Sequence, residues 1–140
     1  MHLSDGIITS PALIGGTLAA AAAGSAWGLY RLKAEDVPRT AMMSAAFFTA
    51  SLIHLPLPGS SVHLLLPGLL GVVLGWAAFP AVLVALLLQS VLFGHGGLTA
   101  LGANTLCQGV PAVVCHYLFR LGRAPGARPG AVRGFVVGTL

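Results

Sequence analysis

Apolar residues run along the chain in five long blocks, at about residues 11–32, 40–54, 62–79, 80–94 and 98–119, and a sixth block opens near residue 131. Crossing ~30 Å of hydrocarbon takes roughly 20 apolar residues in a helix, so the longer blocks predict membrane-spanning helices. In lipid the backbone must satisfy its own hydrogen bonds, which favours helices over strands for these blocks. The fourth block and, to a lesser degree, the second are short. Fifteen helical residues rise only ~22 Å, so these segments are expected to tilt less, to start inside the interface, or to sit shielded by protein. The fold class is all-α: a polytopic membrane helical bundle of five spans plus the start of a sixth, in one domain covering residues 1–140.

Composition agrees. Only 7% of residues are charged and 56% are apolar, against roughly 25% charged in a soluble domain; the mean hydropathy is +0.92. The few charges are clustered, and they orient the bundle. Arg31, Lys33 and Arg39 lie between the first and second blocks, and Arg120, Arg123, Arg128 and Arg133 between the fifth and the sixth. Together these are all seven basic residues. The positive-inside rule makes both loops cytoplasmic, which leaves the N-terminus and the loops at 55–61 and 94–97 extracytoplasmic. Topology and anionic lipid headgroups account for the basic loops without nucleic acid. The first block lacks a positive n-region, carries Asp5 ahead of it and is too long for a signal peptide, so it is expected to be retained. Cleavage near Ala21–Ala23 would remove His2.

Of five histidines, His2, His54, His63 and His95 fall at outer ends, with His63 expected at the outer end of the third helix; His116 alone falls at an inner end. The α-amine of Met1, the amide nitrogen of His2 and its imidazole can close a five-membered and a six-membered chelate ring around one cation. A fourth nitrogen from His63 would complete a plane, which suits Ni(II), Cu(II) or low-spin Co(II) better than the tetrahedral preference of Zn(II) or the oxygen preference of Mg(II) and Ca(II). Asp5 either orients one of these imidazoles or caps the first helix. Ser60 and Ser61 are expected to satisfy loop amides and to fix the His63 ring. His54 and His95 read as interfacial, with a place behind the metal ligands as the alternative.

Asn104, Gln108 and Cys115 fall on one stripe of the fifth block, with Gln89 as their counterpart on the fourth. Polar groups at depth face the bundle interior and bond across helices, so these read as structural. Cys107 and Cys115, eight residues apart on one helix, are ~12 Å apart in rise, too far for a disulfide. Two rows of small residues, Gly15, Ala19, Ala23 and Gly16, Ala20, Gly24, admit close approach of another helix, either within the chain or from a partner.

Four separated motifs carry a resemblance to a known family. Met1-His2-Leu3-Ser4-Asp5-Gly6 resembles the N-terminal Met-His-Ile-Pro-Asp-Gly signature of the NikM/CbiM proteins, the membrane-embedded substrate-binding components of energy-coupling-factor nickel and cobalt transporters. Pro58-Gly59-Ser60-Ser61-Val62-His63-Leu64 is similar to that family's second metal-ligand motif. Gly75-Trp76-Ala77-Ala78-Phe79-Pro80 and the run Gly96-Gly97-Leu98-Thr99-Ala100-Leu101-Gly102-Ala103-Asn104-Thr105 resemble its central block, which is nearer the cobalt branch. Ser4 stands where the family has proline, and Cys107-Gln108 where Asn-Met is common. Family members carry further helices beyond the position of Leu140.

The resemblance implies a multi-pass protein of the prokaryotic inner membrane that captures Ni(II) or Co(II) through Met1, His2 and His63. The metal would be the transported substrate, bound without an organic cofactor and destined for cobalamin synthesis or nickel enzymes. It also implies a membrane-embedded transport component, two ATPase subunits and a small accessory membrane subunit as partners. No G-x-x-x-x-G-K-[ST] phosphate loop occurs in the sequence, so ATP hydrolysis falls to the partners and the chain is not an enzyme. Two other readings are a haem protein using His54 and His116, whose placement at opposite helix ends argues against a shared iron, and an assembly subunit that binds no metal.

Overall fold

Pro11 opens the first helix, where its missing N–H is no loss. Helix α1 (Pro11–Arg31) ends with Arg31 beside its C-terminal carbonyls, a favourable place for a cation, and Leu32 then turns extended. A 3-10 turn at Ala34–Asp36 leads into α2 (Val37–Ser51). Strands β1 (His54–Leu57) and β2 (Ser60–His63) pair antiparallel. Helix α3 (Pro67–Leu74), a 3-10 turn at Gly75–Ala77, α4 (Ala78–Phe93) and α5 (Leu101–Leu121) follow. The computed structural model describes residues 9–57, 60–63, 66–94 and 97–121, with the backbone alone at 54–57 and 60–63.

Close approaches fix the direction of each helix. A methyl group at Gly102 would lie 2.5 Å from the Leu18 nitrogen, while Gly24 and Gly109 both face the ring of Phe79; α1 and α5 therefore run parallel. Gly71 abuts the Ala112 backbone and Gly75 faces His116, so α3 runs the same way. Ser44 Oγ donates to the Ala81 carbonyl at 2.7 Å, and Gln89 Nε2 donates to Ser51 Oγ, so α2 and α4 run parallel to each other. Gly28 packs on Trp76 and Pro80, which sets the start of α4 beside the end of α1. Thus α1, α3 and α5 descend, and α2 and α4 return.

This alternation is the one the five apolar blocks predict, but the boundaries differ. The third block does not begin helically at residue 62: β2 occupies Ser60–His63 and α3 starts at Pro67. The chain reverses at Gly75 (φ +59°, ψ −126°), a conformation that glycine adopts without a Cβ clash. Pro80, which marks the start of the fourth block, lies inside the first turn of α4, where proline is tolerated.

By length and composition, two runs among the described residues qualify as membrane-crossing, Pro11–Arg31 and Pro67–Phe93, but the second reverses at Gly75 and so is two antiparallel helices, α3 and α4, not one crossing helix. Their surroundings differ. The apolar window of Pro67–Phe93 is 61% buried and that of α1 only 17%, so α4 is central and α1 peripheral. The core joins Phe47 of α2, Leu70 of α3, Ala78, Ala81, Val82, Ala85 and Leu86 of α4, and Leu101 and Ala112 of α5.

The polar stripe is interior, as expected: Gln89, Asn104, Gln108 and Cys115 are all buried. The partner of Gln89 is nevertheless Ser51 on α2, whose hydroxyl in turn donates to the Phe48 carbonyl at 2.7 Å. Removing one side of a buried pair leaves the other unsatisfied. Ser51→Ala is expected to cost about 1 kcal/mol, read as a lower unfolding midpoint in detergent.

Candidate functional site

The hairpin, the N-terminus of α3, the C-termini of α2 and α4 and the start of α1 all gather at one end of the bundle. This follows from the helix directions. The opposite end collects Arg31, Arg39, Gly75, His116 and Arg120 around one cavity. The histidines are thereby separated. His54 lies three residues past the end of α2, and His116 lies fifteen residues into α5, ~22 Å along it. The two cannot ligate one iron, and the haem reading has no geometric basis.

At the hairpin end, Cα pairing sets His54 opposite His63, Pro56 opposite Ser61 and Leu57 opposite Ser60. His63 is therefore a strand residue, not the outer turn of a helix. The chain leaves the C-terminus of α2 here and enters the N-terminus of α3, with the two strands between them. The direct pairing of His54 with His63 is the feature that reading the sequence missed. Its signal was present: Pro58-Gly59, a turn-forming dipeptide, lies midway between the two histidines.

Met1, His2, Asp5 and His95 lie outside the described residues, as do Arg123, Arg128 and Arg133, and for Ser60, Ser61 and His63 the structure describes backbone only. Among the described residues no three His, Cys, Asp or Glu side chains converge on one point.

The two rows of small residues on α1 divide. Gly15 and Gly16 face open space, and Ala19, Ala20 and Ala23 are exposed. Gly24 belongs to the bundle instead, since a methyl there would lie 2.8 Å from the Phe79 ring. An exposed strip of Gly15, Ala19 and Ala23, flanked by Gly16 and Ala20, thus remains on the outside of the peripheral helix.

Comparison with known proteins accords with this arrangement. A family model described as "Cobalt uptake substrate-specific transmembrane region" matches residues 2–140. The chain is 52% identical over 120 residues to a putative metal transport protein of Haemophilus influenzae, covering 86% of this chain and 58% of that protein. It is 35% identical over 147 residues to the fused nickel transport protein NikMN of Rhodobacter capsulatus, covering 100% of this chain and 42% of that protein. The chain thus spans about half the length of these curated relatives. A solved structure titled as a truncated transition metal transporter superposes with a TM-score of 0.77 at 31% identity, over 98% of this chain and 68% of that one.

Proposed function

Since the chain belongs to the cobalt-uptake substrate-specific transmembrane family, we propose that it captures Ni(II) or Co(II) at the hairpin end of its bundle, as cargo for import. The observation that carries this reading is the place of His63. It stands in the strand leading into α3, at the end of the bundle where α1 begins. Eight residues precede the described chain, and at ~3.4 Å each they reach up to ~27 Å, enough for Met1 and His2 to approach the hairpin. The amine, the His2 amide nitrogen and two imidazoles then form a plane of four nitrogens.

The bundle lies in the inner membrane with its basic end toward the cytoplasm. Large apolar side chains left uncovered on α1, α2, α4 and α5, among them Leu13, Leu18, Met42, Val84 and Leu92, support a lipid environment, since a soluble monomer rarely exposes so much apolar surface. Capture then occurs at the extracytoplasmic face. Import needs energy that this chain has no phosphate loop to harvest, so a membrane transport component and two ATPases supply it. A relative named as a fused nickel transport protein supports a chain that works joined to further components. The exposed strip Gly15, Ala19 and Ala23 is suited to receive a partner helix at close range.

Binding must release protons from the terminal amine, whose reference pKa is about 7.7–8.0, and from an amide. The metal-bound form thus holds fewer protons, and acid favours the free form. Titrating purified full-length chain with Ni(II) and Co(II) should give one equivalent bound, with affinity falling at least about tenfold per pH unit between about pH 8 and 6. No uptake, or uptake indifferent to pH over that range, would contradict the proposal.

A further inference from the structure

Every tryptophan and tyrosine of the chain lies at the basic end. There are two of each: Trp27 and Tyr30 on α1, Trp76 in the turn after α3 and Tyr117 on α5. They form one cluster, with ring centroids 6.1 Å apart for Trp27 and Tyr30 and 6.5 Å for Trp27 and Trp76, and Trp76 Nε1 donates to the Tyr117 hydroxyl at 2.9 Å. Such belts mark the level of lipid headgroups.

A cavity of about 240 Å³ opens at this level, lined by Arg31, Arg39, Arg120, Trp76 and Tyr117, with Asp36 its one carboxylate. Three guanidiniums against one carboxylate leave two positive charges in excess. The only other acid among the described residues, Glu35, pairs with Lys33 at 3.7 Å. Guanidinium forks match phosphate oxygens, and Arg31 also sits over the Trp27 ring at 5.1 Å. The Tyr117 hydroxyl, accepting from Trp76, keeps its own proton to donate.

The cavity does not end in water on all sides. Leu32 and Thr40 are shared with a second space, an apolar groove of about 370 Å³ bounded by Leu29, Val37, Phe48, Val84 and Leu88. From Val37 to Phe48 it follows α2 for ~16 Å. A cationic cup at headgroup level that continues into an apolar channel fits a molecule with a phosphate at one end and a hydrocarbon chain at the other.

We infer that the basic end binds an anionic phospholipid, its phosphodiester in the Arg31–Arg39–Arg120 cavity and one acyl chain in the groove between α2 and α4. This rests on the membrane orientation proposed above but is independent of metal capture. The test uses delipidated full-length protein in neutral detergent, with bound lipid read by native mass spectrometry and stability by the unfolding midpoint. The probes are phosphatidylglycerol, phosphatidylcholine and inorganic phosphate.

Phosphatidylglycerol should stay bound and raise the midpoint, and the other two should do neither. R31Q, R39Q and R120Q combined should weaken phosphatidylglycerol about 100-fold with Ni(II) affinity unchanged. Should the triple variant fail to fold, R39Q alone and the groove-filling V84W should each weaken the lipid. Equal retention of both lipids, or a preference that survives loss of the arginines, would overturn the inference. So would full competition by inorganic phosphate together with indifference to V84W, which would mark a free-phosphate site.

Discussion

His63→Ala is expected to lower Ni(II) affinity by at least about 100-fold, close to 3 kcal/mol. Three of the four nitrogens in the proposed plane come from one dipeptide, Met1-His2, and hold the ion as a chelate whatever the bundle does. The fourth is the one donor that ties the terminus to the fold. Water is a poor substitute for imidazole at a planar d-electron metal, so the residual site should resemble a loose peptide complex. His54→Ala should cost no more than about tenfold, because the residue opposite a ligand acts by orienting it. Isothermal titration of the three proteins separates these outcomes. Equal losses at His54 and His63 would transfer part of the ligand role to His54.

Gly71→Val should destabilise the bundle by at least about 3 kcal/mol, at or beyond the upper end of ordinary overpacking. The added Cβ would overlap the carbonyl group of Ala112. That neighbour is backbone, so no side chain can swing aside, and α3 must separate from α5. The consequence extends to the site, since α3 follows directly from the strand that carries His63; the variant should lose metal binding along with its unfolding midpoint. Gly15→Ala is the matched comparison. Nothing lies within 4 Å of its added methyl, and a helical glycine replaced by alanine gains up to about 1 kcal/mol. Loss of assembly or transport there without loss of stability would mark the exposed strip as a docking face.

The alternating path of the helices was legible because hydrophobic runs and arginine clusters are local, additive signals. Arg31, Arg39 and Arg120 meet at one cavity, as positive-inside reasoning requires. What escaped was tertiary. The run from Pro67 to Phe93 is apolar throughout, so hydropathy has no mark for a reversal at Gly75, and Pro80 drew the boundary a few residues late. The hairpin was hidden because residues 55–61 read as a loop, and Pro56, which cannot donate to a ladder, argues against a strand there. Pairing of Gln89 with Ser51 depends on α2 lying beside α4, which no single stripe reveals. For the site, the proposed chelation by Met1-His2 rests on the sequence alone, since both residues lie outside the described ones, whereas the pairing of His54 with His63 needed the strand register.

The most direct test is the coordination of Ni(II) in the loaded protein, read by absorption and X-ray absorption spectroscopy on the native chain and on one acetylated at Met1. The account predicts a diamagnetic, planar centre of four nitrogens that acetylation abolishes. A six-coordinate centre rich in oxygen, or a spectrum untouched by blocking the amine, would contradict it.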